Sequence, residues 1–135
     1  MKRLWVDANV LLRFLTGEPE SMAERANRLM LRAEKGEVLL ILSPLVIAEM
    51  VWVLKSFYRR SYEEISEVVI PLISAEGVET EDRELLIRAI ELARDKNVDF
   101  SDAVLALQAS RRSETVCTFD ETDFKRLPAA WTLPG

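Results

Sequence analysis

Apolar residues along this chain follow two spacings: continuous runs of strand length, and stripes that return every three or four residues. Residues 38–42 form the clearest run, which predicts a strand buried on both faces. Residues 22–33 form the clearest stripe, which predicts an amphipathic helix between Pro19 and Gly36. In chain order, the pattern predicts strands at residues 4–6, 38–42, 78–80 and 115–119, with a fifth, edge strand at residues 131–133.

Residues that favour helix termini set the other predicted boundaries. Ser43 and Pro44 form a cap and first-turn pair for a helix that reaches about residue 55. Ser61 and Glu64 have capping-box spacing and start another helix, in which Pro71 should produce a kink or an early end. Further helices are predicted at residues 10–15, 83–94 and 100–112, with at most a helical turn at residues 124–127.

This order of elements predicts the α/β class. Strands that alternate with helices favour a central, mostly parallel sheet of four or five strands, covered by helices on both faces in three α/β/α layers. The length of 135 residues fits a single domain over residues 1–135. In such sheets the ligand site lies beyond the carboxyl ends of the strands.

Composition excludes several kinds of chemistry. The chain has no histidine and one cysteine, which excludes imidazole-based triads and zinc sites built from cysteine and histidine. Cys117 lies in an apolar run, and we expect it to be buried. No apolar stretch approaches the roughly 18 residues of a membrane helix, and the first residues lack the pattern of a signal peptide, so we expect a cytoplasmic protein without a membrane partner.

Two acids follow predicted strands at the point where each strand ends. Asp7 comes after Leu4-Trp-Val6, and Asp120 comes after the fourth strand. Because the carboxyl ends of parallel strands meet at one edge of a sheet, we expect both side chains at the ligand site. The alternative is that each caps the helix or turn that follows it.

Two further acids interrupt apolar helices. Glu49 is the only charged residue between Leu45 and Leu54, which predicts a buried carboxylate that needs a cation or an ion pair, for example with Arg13. Asp102 precedes an apolar run of the sixth predicted helix and should point inward. Its alternative role is in a capping box that starts at residue 99.

A cluster of Asp7, Glu49, Asp102 and Asp120 would require a cation, because several negative charges within a few ångströms repel one another strongly. Carboxylates together with water suit Mg²⁺ or Mn²⁺. Clustered acids that hold such ions are typical of metal-dependent nucleases. Asp123 could be a fifth ligand, but we favour an exposed turn residue or a supporting acid behind the ligands.

At these residues the sequence resembles the PIN-domain family, specifically the VapC-type toxins of toxin–antitoxin pairs. The matching segments are residues 6–13 (VDANVLLR), 43–49 (SPLVIAE), 99–106 (DFSDAVLA) and 118–124 (TFDETDF). The resemblance implies a PIN fold, Mg²⁺- or Mn²⁺-dependent endoribonuclease activity, a homodimer and inhibition by a VapB-type antitoxin. It also implies that Asp7, Glu49, Asp102 and Asp120 are the acidic quartet, with Asp7, Asp102 and Asp120 as metal ligands and Asn9, Thr118 and Asp123 as accessory polar residues.

The mechanism that this resemblance implies is attack by a metal-activated water, which leaves a 5′-phosphate and a 3′-hydroxyl. The net charge of −5 and the pI near 4.9 argue against an RNA partner, so binding would depend on local basic patches. Of the aromatic residues near residue 55, we expect Trp52 in the core, whereas Phe57 and Tyr58 fit either the core or an interface. Candidate RNA contacts are Lys55, Arg59, Arg60, Arg111, Arg112, Lys125 and Arg126, although such residues also serve as solvated helix ends.

Two other functions compete with the nuclease. A phosphatase of the haloacid dehalogenase type would use Asp7 after the first strand as its nucleophile. Asn9 argues against it, because an amide cannot act as the general acid that this position would need. The second alternative is a non-catalytic binding module with the PIN fold.

Overall fold

The structure is a computed structural model that describes residues 1–135, and it alternates short parallel strands with helices. None of its helices combines the length and the apolar character needed to cross a membrane. In chain order the elements are β1 Lys2–Trp5, α1 Ala8–Thr16, α2 Glu20–Glu34, β2 Val38–Leu42, α3 Pro44–Ser56, α4 Tyr62–Ile73, β3 Val78–Thr80, α5 Arg83–Lys96, α6 Phe100–Arg111, β4 Thr115–Cys117, α7 Glu121–Phe124 and β5 Ala130–Thr132.

The strands form two parallel sheets. β2 lies at the centre of the first sheet, with β1 on one side and β3 on the other. β4 and β5 pair in parallel as a separate two-stranded sheet. The predicted α/β class and parallel sheet are therefore confirmed, but the five strands do not share one hydrogen-bonded ladder. β4 ends at Cys117, two residues earlier than predicted, and β5 pairs with it from Ala130 rather than from Trp131.

Local sequence explains most helix boundaries. The hydroxyl of Ser43 accepts a hydrogen bond from the backbone N–H of Leu45 at 3.3 Å, directly before the helical Pro44. The capping box of Ser61 and Glu64 is present, with both reciprocal bonds formed. These contacts satisfy backbone donors that the first helical turn leaves without partners.

Of the two predicted effects of Pro71, a kink or an early end of the helix, the early end does not occur. The helix continues to Ile73 with the exposed Pro71 inside it. Proline removes one backbone donor and usually interrupts a helix. Here Val69, Leu72 and Ile73 are buried on the opposite face, and their packing holds the last turn in place.

A single cluster of 29 buried apolar residues joins the helices to both sheets. All five residues of β2 are apolar and four of them are buried, as expected for the central strand. Gly77 allows the chain to approach α2 just before β3, because a Cβ at this position would overlap the backbone of Ala33. Packing of this core therefore holds the ends of the strands in place, and the loops that carry polar residues follow these ends.

Candidate metal centre

Three carboxylates meet where α6, α7 and the end of β4 come together. One carboxylate oxygen from each of Asp102, Asp120 and Asp123 lies within 4.8 Å of the others. Asp102 and Asp123 are half-buried and Asp120 is exposed. The first turn of α6 and the segment that follows β4 therefore bring carboxylates close enough together to share one cation.

The first turn of α6 places Asp102. Asp99 caps this helix, because its carboxylate accepts hydrogen bonds from the backbone N–H groups of Ser101 at 2.9 Å and Asp102 at 3.2 Å. The cap thus belongs to Asp99, and the carboxylate of Asp102 accepts no hydrogen bond from the protein. Its oxygens remain available to a ligand.

A second cap places Asp120. Its Oδ1 accepts a hydrogen bond from the backbone N–H of Asp123 at 3.0 Å, and its own N–H donates to Thr118 Oγ1 at 2.9 Å. Asp120 is thus the N-cap of the short helix α7, as its position after a strand allowed. Its Oδ2 has no protein partner and remains free.

Asp123 ties α7 to the start of α6. Its Oδ2 accepts a hydrogen bond from the backbone N–H of Asp99 at 3.3 Å, and its Oδ1 lies 3.1 Å from Arg126 Nη2. Arg126 also donates to the carbonyl oxygens of Lys96 and Asn97. Since both oxygens of Asp123 already have partners, this acid supports the cluster from behind, and it is not simply an exposed turn residue.

The cluster is under electrostatic stress. Burial raises the pKa of Asp102 to about 6 from an ordinary value of 3.8, and the charges of Asp99, Asp120 and Asp123 add to the shift. A divalent cation would relieve this repulsion, and hard carboxylate oxygens are the donors that Mg²⁺ and Mn²⁺ prefer. The residues present therefore fit such an ion.

Asp7 and Glu49 are not members of this three-residue group. Asp7 directly follows β1 but is exposed and caps α1, where its Oδ1 accepts a hydrogen bond from the backbone N–H of Val10 at 3.1 Å. Asn9 binds the guanidinium of Arg13 through its Oδ1 at 2.9 and 3.1 Å. Arg13 is therefore not the ion-pair partner of Glu49 that the sequence allowed.

The predicted burial of Glu49 is wrong. Glu49 is exposed, and so are its helical neighbours Leu45 and Trp52, which are 82% and 64% exposed. α3 packs its Ile47, Met50, Val51 and Leu54 face into the core and leaves an apolar face uncovered. A helix that is apolar on every side predicts burial on every side, and the expectation that Trp52 lies in the core is wrong for the same reason.

Two further residues depart from the prediction or were missed by it. Cys117 is exposed and not buried, because the short strand β4 has only β5 beside it.

Tyr62 is missing from the residues predicted from sequence, although its hydroxyl oxygen accepts a hydrogen bond from the backbone N–H of Phe100 at 3.1 Å. Burial raises the pKa of Tyr62, and the nearby charges of Asp99 and Asp102 add to the increase. Nothing local in the sequence links this tyrosine to a helix that starts 38 residues later.

The comparison with known families decides the fold family. A family model described as the PIN domain matches residues 4–130. This chain belongs to the PIN-domain family. One curated relative is a VapC ribonuclease of Aquifex aeolicus (strain VF5), 29% identical over 106 residues, which cover 78% of this chain and 78% of the relative.

Membership in the PIN family confirms the resemblance carried by the four sequence segments, all of which start and end within residues 4–130. It also argues against the alternative of a haloacid dehalogenase fold.

Within this PIN domain, four of the seven basic residues considered for RNA binding are already paired with acids. The pairs are Arg60–Glu64 at 3.9 Å, Arg111–Asp82 at 3.0 Å, Arg112–Glu114 at 2.8 Å and Arg126–Asp123 at 3.1 Å.

Proposed function

We propose that this PIN-domain chain is a metal-dependent endoribonuclease and the toxin of a type II toxin–antitoxin pair. The observation that carries the proposal is the PIN match over residues 4–130 together with three carboxylates that meet within 4.8 Å. The relative from Aquifex aeolicus, described as a VapC ribonuclease, supports the same activity. We infer that the whole of residues 1–135 acts as one domain.

Asp102 and Asp120 are the proposed ligands of one Mg²⁺ or Mn²⁺ ion, because each has carboxylate oxygen without a protein partner. Asp7 is the third proposed ligand, by its place directly after β1. Such an ion supplies Lewis acidity, which lowers the pKa of water and offsets the charge of a phosphodiester. Asp123 holds the two helices that carry the cluster together, and Glu49 stays a proposed catalytic acid.

The chain's own side chains would then orient substrate and water. Thr118 fixes the backbone of Asp120 through its Oγ1, which supports its proposed accessory role. Asn9, in the first turn of α1, holds the guanidinium of Arg13, which also donates to the backbone carbonyl of Glu18 beyond the end of this helix. Positive charge at this place favours an approaching phosphate, as does the helix N-terminus itself.

The proposed partners are an RNA substrate, a VapB-type antitoxin and a second copy of the chain, and the proposed location is the cytoplasm. The uncovered face of α3 supports an interface, because Leu45 and Trp52 expose large apolar surfaces one above the other. Trp5 and Phe119, 74% and 81% exposed, add apolar surface beside Asp7 and Asp120.

The proposal is tested by incubating purified wild-type chain and its Asp102→Asn variant with bacterial RNA in Mg²⁺, in Mn²⁺ or in EDTA, and by measuring RNA binding in EDTA. We expect the wild type to cut RNA when the metal ion is present but not in EDTA, and to leave 5′-phosphate and 3′-hydroxyl ends. The variant should leave the RNA intact. If the wild type binds RNA but cuts none in either Mg²⁺ or Mn²⁺, the chain is a binding module and the proposal is wrong.

A further inference from the structure

A groove between α1 and α2 concentrates positive charge on a chain whose net charge is −5. It has a volume of about 520 Å³, and nine residues line it, of which four are arginines and none is acidic. The arginines are Arg13 of α1 and Arg25, Arg28 and Arg32 of α2. We call this feature the arginine groove.

The periodicity of α2 aligns three of these arginines. Arg25, Arg28 and Arg32 are three and four residues apart, so they share one face of the helix. At 1.5 Å per residue they span about 10 Å along the axis. Val10 and Leu29 contribute an apolar floor between the helices. The groove therefore offers a row of cations beside an apolar surface.

Most of this charge is not neutralised within the protein. Arg25 and Arg28 are exposed and take part in none of the seven ion pairs of the structure. Arg13 is fixed by neutral oxygens, the side chain of Asn9 and the backbone carbonyl of Glu18 at 2.9 Å. Arg32 has a carboxylate partner in Glu37, at a long 3.7 Å.

We propose that the arginine groove binds the sugar-phosphate backbone of single-stranded RNA and leads it towards Asp7, the proposed metal ligand after β1; this step rests on the proposed function. Asn9 lines the groove and lies two residues after Asp7, so one end of the groove starts beside the carboxyl end of β1. The guanidinium fork matches phosphate oxygens in pairs, and arginine planes stack on bases.

The groove also resolves the conflict between an acidic chain and a nucleic-acid substrate. Affinity for a phosphate backbone depends on local cations more than on net charge. Of the arginines considered from sequence, those at residues 60, 111, 112 and 126 are paired with acids, whereas Arg25 and Arg28 of the groove, which were not among those considered, form no ion pair. An acidic peptide is the other anion that could enter the groove, and the experiment separates the two.

The test is fluorescence anisotropy with a labelled single-stranded RNA of about 20 nucleotides, of mixed sequence, in EDTA so that the probe stays intact. The variant is Arg25→Glu with Arg28→Glu. The matched control is Arg88→Glu with Lys96→Glu, which makes the same charge change at exposed positions of α5 that form no ion pair, on a helix that packs on α4 and α6. Circular dichroism verifies that all proteins fold.

We expect the groove variant to bind at least about tenfold more weakly and to lower the slope of log affinity against log salt by about 1.4, as for two lost phosphate contacts. The control should bind within about twofold of wild type, and Arg25→Lys with Arg28→Lys should keep most of the affinity because it keeps the charge. Equal losses in variant and control would contradict the proposal, as would no loss in either.

Displacement of the RNA by poly-L-glutamate at equal charge concentration would also contradict the proposal, since it would make the groove a site for acidic peptides. Failure of the proposed function would give a different result. The wild type would cut no RNA in Mn²⁺, but the groove variant would still bind RNA more weakly than the control.

Discussion

The carboxylate of Asp120 accepts a hydrogen bond from the backbone N–H of Asp123 at 3.0 Å, so one acid of the cluster fixes the backbone that carries the next. Only Oδ1 of Asp120 is used in this bond. The same side chain therefore ends a loop, starts α7 and presents a free oxygen to the cluster. Substitution of Asp120 can therefore separate its role as the cap of α7 from its role in the carboxylate cluster.

The variants Asp120→Asn and Asp120→Ala distinguish the capping role of Asp120 from its role in the carboxylate cluster. Asparagine keeps an oxygen that can cap α7, whereas alanine removes the cap at a cost of about 1 kcal/mol. We expect both variants to lose RNA cleavage, but only Asp120→Ala to show a lower free energy of unfolding in a urea titration. Cleavage by Asp120→Asn at the wild-type rate would show that the charge of Asp120 is not needed.

The raised pKa of Asp102 makes stability depend on pH in the metal-free protein. The folded chain binds a proton at this carboxyl more readily than the unfolded chain, with a pKa of about 6 against 3.8. Ionised Asp102 therefore destabilises the fold fully above about pH 6, and the penalty decreases as the pH falls and is lost below the unfolded pKa of 3.8.

We expect Asp102→Asn in EDTA to be more stable than wild type at about pH 7.5, by roughly 1 kcal/mol after allowing for solvent screening of a partly exposed group. At about pH 3.5 the difference should nearly vanish, because Asp102 then carries its proton mostly in the unfolded chain as well as in the folded one. Urea titrations at both pH values measure it. A variant that is less stable than wild type at the higher pH would contradict the electrostatic stress described for the cluster.

Tyr62→Phe removes the oxygen that accepts the Phe100 N–H bond at the start of α6. We expect a loss of about 1 kcal/mol in stability, as for a lost hydrogen bond to a backbone donor, and faster hydrogen exchange at the Phe100 amide. Tyr58→Phe is the matched control, because the hydroxyl of Tyr58 makes no hydrogen bond within the protein. Identical exchange at Phe100 in both variants would show that the Tyr62 hydroxyl has no such role.

Trp52→Glu tests the proposed homodimer. Because Trp52 is 64% exposed, the substitution should leave the fold of each subunit intact and disrupt an interface across α3. We expect light scattering to give the mass of a dimer for wild type and of a monomer for the variant. Leu31→Glu, at a residue of α2 that is 44% exposed, serves as the control and should remain a dimer. A monomeric wild type would rule out the dimer.

Much of the fold could be predicted because its signals are local. The caps at Ser43 and Ser61 and the apolar run of β2 depend on neighbours within a few residues, and the structure contains each of them. The separation of the two sheets could not be predicted in this way. It depends on which strands form hydrogen bonds with one another, and the sequences of β1 and β4 define each of them only as a strand.

The same distinction between local signals and distant contacts applies to the candidate site. Asp102 and Asp120 were singled out from their positions on a helix and after a strand, and they do meet. Glu49 shows the limit of the method, because the apolar pattern of α3 cannot tell which face the core covers. The roles of Asp123 and Tyr62 arise from contacts between elements distant along the chain, with Asp99 and Phe100, and no spacing in the sequence encodes them.

The most direct test of the metal-centred cluster is the rate of cleavage of a labelled RNA as a function of Mn²⁺ concentration, measured for wild type and Asp120→Asn. We expect no cleavage by wild type in EDTA and a rate that rises to saturation with Mn²⁺, whereas the variant loses at least about a hundredfold in rate, or about 3 kcal/mol. Equal cleavage in EDTA, or equal Mn²⁺ dependence in both proteins, would contradict a cation held by these carboxylates.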